Sequence, residues 1–386
     1  MSRLRDLPAE RIIRAIGDAA ARWCNADYPP RVRATNAVTE RLEYSEPVVD
    51  YALDRLFGPI TARALAGTIA GELGSIAALD GFVPRSGRPA AFARGTDSAV
   101  IISSDTTIGV ALWPALFALC AKSRVNVKDR SDALIAAFAQ TLTEEEPAIG
   151  ECFGVREWSD REDPELSSRL RAADVVVAFG RDESLRTIRE RCGPVARFVA
   201  FGHRTSIGYI EAQALDERPL HALARAVALD ALLYEGEGCL SLHLLFVERC
   251  GELEAFMSAL VRAYSDVAIE FPSARRPASF ALVPAAFLVR PAFDATPPFA
   301  PATIAIYEVG EPEEVARFVD RHAIRLEAVA VADPARARPD VRHFAAGSGA
   351  SRLARLGTLQ SPALEANHGG EGRILPFIRW IGEDAP

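Results

Sequence analysis

The sequence predicts an α/β protein with two domains built on parallel sheets, preceded by a helical N-terminal segment. Three observations carry this. At 386 residues the chain exceeds what one hydrophobic core serves well, which points to two or three domains. Its composition, 49% hydrophobic and 25% charged, is that of a globular protein rather than a disordered one. From Ser98 onward, short apolar runs alternate with helical segments, the pattern of a mainly parallel sheet covered by helices.

Residues 1–95 read as mostly helical. Pro8 and Glu10 suit a first helical turn, and Ile12, Ile13, Ile16, Ala20 and Trp23 follow at helical spacing. Beyond the turn-prone stretch 27–30, Val48, Val49, Ala52, Leu53 and Leu56 mark another helix, and Ile69 and Leu73 a third. Residues 80–95 hold five glycines or prolines and read as a linker. A first α/β domain is expected over 96–220, with strands at 99–103, 125–128, 174–179 and 197–201. Its helices fall at 110–122, 132–142 and 183–191, around a polar insertion. A second α/β domain is expected over 221–350, opening with a helix at 220–233 and a strand at 243–248. A helix at 253–264, strands near 280–289 and 303–307, a helix at 313–322 and a strand at 327–331 follow. Residues 351–386 complete the fold.

The formal net charge of −8 argues against nucleic-acid and anionic-membrane partners, which reward a basic surface. The N-terminus leads into an amphipathic pattern and does not read as a signal peptide. No run of about 18 apolar residues is present, so no membrane span is expected. Six cysteines (24, 120, 152, 192, 239 and 250) are scattered without a CxxC pair. That favours a reducing, cytoplasmic setting and gives no reason to expect a structural metal.

In parallel sheets ligands gather beyond the carboxyl ends of the strands. This selects residues 103–109, 128–131, 180–183 and 202–206. Gly180, Arg181, Asp182 and Glu183, between an apolar strand and a helix, suit either a phosphate at a helix N-terminus or an ordinary turn with acidic caps. Cys239 lies in Tyr234-Glu-Gly-Glu-Gly-Cys-Leu-Ser-Leu-His243, where two glycines present the sulfur on an open backbone just before a strand. Glu235 and Glu237 would oppose its thiolate unless a cation or helix terminus balances them. A small buried hydrophobe is the other reading of such a cysteine. His203 can exchange a proton, and Arg204 can hold a phosphate or favour a thiolate. Lys128 ends an apolar strand and can reach a ribose or phosphate, or simply face solvent. His243, His221 and Cys250 lack metal-ligand company and read as structural.

Taken as an ordered set, these segments resemble one family, the fatty acyl-CoA reductases of bacterial bioluminescence operons, a branch of the aldehyde dehydrogenase superfamily. The set comprises Leu73-Gly-Ser-Ile-Ala-Ala-Leu-Asp-Gly-Phe82, Ala111-Leu-Trp-Pro114, Val127-Lys128, Val175-Val-Val-Ala-Phe-Gly180 and Asp182-Glu183. It continues with Phe201-Gly-His-Arg204, Gly238-Cys-Leu-Ser241 and Ile374-Leu-Pro-Phe-Ile-Arg-Trp380. The likeness implies an aldehyde-dehydrogenase-like fold, with a dinucleotide-binding domain followed by a catalytic one. It also implies a mechanism in which Cys239 takes the acyl group from a thioester and a reduced nicotinamide converts it to an aldehyde. NADPH or NADH would be the cofactor, with Lys128 at the adenosine ribose and Gly180 and Arg181 near the pyrophosphate. The expected partners are an acyl-CoA or acyl-carrier thioester, an acyl-transferring protein and further copies of the chain.

Three departures qualify the likeness. Thr106 stands where the family has an asparagine that holds the oxyanion, and loss of such a donor typically costs about 10²–10³-fold in rate. Asp129 replaces a proline and disfavours a 2′-phosphate, and Arg181 replaces a small residue. Two other functions therefore stand beside the reductase. One is a non-catalytic relative that binds an acyl group or a partner protein. The other is an oxidative aldehyde dehydrogenase, which needs a glutamate base where this chain has Gly202-His203.

Overall fold

The computed structural model describes residues 3–85, 87–104, 107–129, 133–158, 163–273, 275–276, 279–280 and 283–383. The chain opens with four helices, α1 (Ala9–Trp23), α2 (Pro29–Leu42), α3 (Glu46–Phe57) and α4 (Ala62–Leu73). The expected spacing of α1 is explained by its burial: Ile12, Ile16, Ala20 and Trp23 are all fully enclosed. Helix α2 was not legible, because it begins with two prolines and continues mostly polar. Proline is tolerated there, since a first-turn N–H has no intrahelical partner anyway.

Residues 80–95 are not a linker. They contain β1 (Val83–Arg85) and β2 (Arg88–Gly95), an antiparallel pair. Strand β14 (Ile378–Gly382) pairs antiparallel on the other side of β2 and completes a three-stranded ribbon. Glycine and proline in this stretch are compatible with a short, irregular sheet, which is why composition misled.

The first large sheet runs β3 (Ser98–Ile102), α5 (Leu112–Cys120), β4 (Arg124–Lys128), α6 (Leu134–Glu145), α7 (Pro147–Gly150) and β5 (Phe153–Arg156). It continues with α8 (Pro164–Ala172), β6 (Val175–Phe179), α9 (Asp182–Arg191) and β7 (Arg197–Phe201). The strands are all parallel, in the order β5-β4-β3-β6-β7. The polar insertion therefore holds an edge strand and two helices. Edge position explains its weak apolar signal.

The second sheet contains β8 (Thr205–Ile210), β9 (Leu242–Glu248), β10 (Leu288–Val289), β11 (Ile304–Val309), β12 (Leu326–Val331) and β13 (Arg352–Arg355). These too are all parallel, in the order β10-β11-β9-β8-β12-β13. Between them lie α10 (Ala212–Glu217), α11 (Leu220–Leu232), α12 (Leu253–Glu270), α13 (Pro312–Arg321) and α14 (Pro339–Gly347). Because β8 pairs in this second sheet, the chain changes sheets at residues 202–204 and not at 220. The strand expected near 280–289 reduces, over its described residues, to a 3-10 turn at Pro284–Phe287 and the two-residue β10.

One continuous core joins the N-terminal helices to the inner faces of both sheets. Smaller cores cover the outer face of each sheet, one around Phe246, Tyr307 and Phe318, the other around Val176, Leu166 and Leu170.

Candidate active site

The two sheets meet end to end. Strand β7 finishes at Phe201 and β8 starts at Thr205, so residues 202–204 lead from a carboxyl end straight into an amino end. The first sheet thus offers the carboxyl ends of its strands, as expected for a ligand crevice, while the second offers its amino ends. Cys239 precedes β9, Arg204 precedes β8, Glu327 is the second residue of β12, Ser351 precedes β13 and Arg352 opens it.

Two irregularities in strand pairing aim these residues. Between β12 and β8 the register runs Leu326 to Thr205, then Ala328 to Ser206, leaving Glu327 as the extra residue. Between β8 and β9 it runs Ser206 to Leu242, then Ile207 to Leu244, leaving His243 extra. Bulges of this kind bend a strand and redirect a side chain. Here they lie on either side of Ser206, whose hydroxyl donates to the Cys239 carbonyl at 2.7 Å. Gly238, with φ +95°, permits the turn that precedes the cysteine.

The cysteine has company that the sequence did not announce. The Cys239 sulfur, a Glu327 carboxylate oxygen and a His368 ring nitrogen all lie within 4.8 Å of one another. Glu327 is 1% exposed. It accepts from the Ser351 hydroxyl at 2.6 Å and from the Gly369 N–H at 3.1 Å, and Arg204 Nε lies 3.8 Å away. The His368 ring stacks on Phe201 with centroids 4.2 Å apart and lies tilted against Phe179 at 5.7 Å. Both phenylalanines are the last residues of their strands, so the imidazole rests on the first sheet while facing groups of the second.

The electrostatics suit a guarded nucleophile. Burial pushes the Cys239 thiol up to about 12, and Glu327 adds to this; its own N–H, Arg352 and Arg204 act the other way. Burial pulls His368 down to about 3, reinforced by Arg373, Arg352 and Arg204. The resting pair is therefore a neutral thiol beside a neutral imidazole. Glu235 and Glu237, the feared neighbours, are engaged elsewhere. Glu235 is held by the buried Arg276 at 2.8 Å and Glu237 by Arg275 at 2.5 Å. The carboxylate that opposes the thiolate is Glu327.

The other sequence-selected residues fall as follows. His203 is exposed and lines a cavity of about 330 Å³ with Asp182, Arg204 and Arg325; it stands outside the Cys239 cluster. Its backbone N–H donates to Asp182 at 3.4 Å. Arg204 joins the cluster through Glu327. Lys128 and Asp129 are buried at the carboxyl end of β4. Gly180 follows β6 and donates its N–H to the Phe201 carbonyl at 3.2 Å, and Arg181 is the exposed N-cap of α9. Thr106 lies outside the described residues. Glu327, His368 and Arg352 were missed. A signal existed for two of them: Glu327 interrupts the apolar run Leu326–Val331, and His368 precedes a Gly-Gly pair. Thiolate, imidazole and carboxylate are also donor types that one divalent ion takes.

Strand order reverses direction at the β3–β6 pair, which marks the crevice where a dinucleotide rests in sheets of this type. The residues there fit one in part: Lys128 supplies a cation at a strand end, and Gly180 leaves the start of α9 open, with only Ser184 Cβ, at 3.8 Å, near where a side chain would begin. Asp182 and Glu183 in the first turn of α9 work against phosphate, although Asp182 is paired with Arg325.

The fold is that of an aldehyde dehydrogenase. The chain superposes on a γ-glutamyl-γ-aminobutyraldehyde dehydrogenase from Burkholderia cenocepacia with a TM-score of 0.71 at 14% identity, covering 99% of this chain and 86% of that one. With an acetylating aldehyde dehydrogenase from Geobacillus thermoglucosidasius the TM-score is 0.69 at 12% identity, covering 99% and 93%. The family is more specific than the fold: residues 4–278 match the family described as acyl-CoA reductase (LuxC), and the chain belongs to it. It is similar to a long-chain acyl-protein thioester reductase of Aliivibrio fischeri, 25% identical over 245 residues, 61% of this chain and 50% of that protein. A second protein of that name, from Photorhabdus laumondii, is 23% identical over 277 residues, 70% of this chain and 56% of its own length. The chain thus spans about half the length of the curated relatives it matches.

Proposed function

We propose that the chain reduces an acyl thioester to an aldehyde through an acyl group held on Cys239. The single observation that carries this is the cluster of half-buried Cys239 and His368 with buried Glu327 at the junction of the two sheets. Family membership and the relatives' names support the choice of substrate.

On attack, the Cys239 S–H proton passes to the neutral His368 nitrogen as sulfur bonds the acyl carbon. The substrate's C–S bond then breaks, and His368 returns the proton to the departing thiol. Arg352 and Arg204 steady sulfur when it is negative. Thr106 and the Cys239 N–H are the proposed donors to the oxyanion. A reduced nicotinamide, NADPH or NADH, supplies hydride when bound, and Lys128, Gly180 and Arg181 are proposed to hold it. Breaking the Cys239 C–S bond then releases the aldehyde and leaves a Cys239 thiolate, which regains its proton from solvent by way of His368. His203, exposed and outside the cluster, is left with a role at the cavity it lines. The six free cysteines accord with a cytoplasmic setting.

Glu327 favours a second reading. An oxidative aldehyde dehydrogenase needs a carboxylate that activates water beside the nucleophile, and Glu327 is such a carboxylate, contributed by another strand. The two readings part at the acyl-enzyme. Intact-protein mass after mixing with acyl-CoA thioesters should show an acyl gain that Cys239→Ala lacks. Discharge by NADPH or NADH supports the reductase. Discharge by water alone, slowed in Glu327→Gln, supports the oxidative reading. Folded protein with no adduct from any thioester would make it a non-catalytic binder.

A further inference from the structure

A cavity of about 570 Å³ adjoins the cluster on the side of the edge strand β13. Its walls include Arg55, Ser351, Arg352, Arg355 and Asn367. Three of these connect it to the chemistry. Ser351 donates to Glu327 at 2.6 Å, Arg352 acts electrostatically on the Cys239 thiol, and Asn367 directly precedes His368.

The lining is cationic, with Arg55 and Arg355 beside Arg352. Arg355 lies three residues along β13 from Arg352, or about 10 Å at the usual strand rise. Arg55 faces the same space from the last turn of α3, its guanidinium 5.0 Å from the Tyr51 ring centroid. Among the described residues no carboxylate lines the cavity. Asp333, which Arg355 reaches at 3.3 Å, is shared with Arg218 at 2.9 Å. The remaining walls are largely proline, alanine and leucine. The space therefore combines apolar walls with guanidinium groups and borders residues that touch the Cys239 cluster.

Resting on the reductase reading, we propose that this cavity receives the thiol half of the substrate, and that Arg55 and Arg355 bind its phosphate there. The ligand class is a phosphopantetheine thioester, the chemistry shared by coenzyme A and by a carrier protein's prosthetic arm. Guanidinium groups bind phosphate through paired, charge-assisted hydrogen bonds, and apolar walls suit the methyl groups and chain of the pantetheine portion. A thioester formed directly on a protein cysteine has no phosphate to place there.

The test uses one acyl group on three thiols: pantetheine, 4′-phosphopantetheine and coenzyme A. Wild type should show kcat/KM at least about tenfold higher for both phosphorylated thioesters than for acyl-pantetheine, the size of one charge-assisted contact. Arg55→Gln combined with Arg355→Gln should shrink that ratio to about threefold or less. A preference for acyl-CoA over acyl-4′-phosphopantetheine would place the recognised charge on the nucleotide portion and overturn the assignment to the arm. Equal use of all three would overturn it outright. Calorimetric binding of free 4′-phosphopantetheine against pantetheine separates this from the parent reading. Phosphate-dependent binding without turnover sinks only the reductase, whereas equal affinity sinks the cavity assignment.

Discussion

The N–H of Gly369 donates to the carboxylate of Glu327 at 3.1 Å, tying a C-terminal loop to a bulge in β12. That bond links the segment carrying His368 to Glu327, beside the backbone pairing of His368 with Glu371 and the stack on Phe201. A side chain at Gly369 would put its Cβ 3.0 Å from the Phe201 ring, in a backbone of φ +57°. Gly369→Ala should therefore displace the histidine. The expected result is an acylation rate lowered about tenfold or more with the thermal midpoint nearly kept; equal acylation rates would show that the loop tolerates the shift.

Glu327→Gln removes the charge that opposes the Cys239 thiolate while keeping a similar shape. The thiol should become more acidic, and alkylation by iodoacetamide at pH 8 should quicken about three- to tenfold. A rate that stays the same or falls would mean that Glu327 acts on the sulfur chiefly by removing its proton.

His368 carries a pH signature. Its folded value of about 3 lies below the unfolded value of about 6.5, so the unfolded chain binds a proton that the folded chain excludes. Stability from this source is complete above about pH 6.5 and declines as pH falls toward 3. In His368→Gln the urea midpoint should vary less between pH 7 and 4 than in wild type. Parallel curves for the two proteins would contradict the burial argument. The same substitution should slow acylation about 10²–10⁴-fold, as loss of a proton acceptor does.

Two buried polar groups hold the frame. Asp230, at the end of α11, accepts from the N–H groups of Gly357 at 2.6 Å and Leu359 at 3.0 Å. Asp230→Ala strands both donors and should cost about 2–5 kcal/mol in chemical denaturation. Asp230→Asn, which still offers one acceptor, should lose less; an equal loss would point to charge rather than hydrogen bonding.

Arg276 and Glu235 form an ion pair in which the side chains are 6% and 3% exposed. Arg276→Met strands the Glu235 carboxylate in a stretch where Tyr234 and Glu235 both sit at φ +57°. A loss of about 3–5 kcal/mol is expected. The double change Arg276→Met with Glu235→Gln should recover part of it, and no recovery would mean that packing, not charge, is at stake.

The fold was legible where burial writes periodicity. Ile12 to Trp23 and Val175 to Phe179 carry their element in their apolar pattern, because each packs against a continuous core. Helix α2 and strand β5 were not legible, being polar, short or at an edge. Cys239 was readable through its flanking glycines. The groups that act on it were not, because Glu327 and His368 lie 88 and 129 positions further along the chain and meet it only through sheet pairing. A glutamate inside an otherwise apolar strand was the available hint.

The ribbon of β1, β2 and β14 has a kinetic consequence. Strand β2 is complete once Gly95 has been synthesised, yet its outer partner begins at Ile378. During synthesis one edge of β2 stays unpaired while both parallel sheets are still being made. Contacts this distant in sequence are slow to close, and open strand edges seek other chains. Newly made chains should be most prone to associate wrongly in that interval, and the pairing of Trp380 with Ala93 is among the last steps to end it.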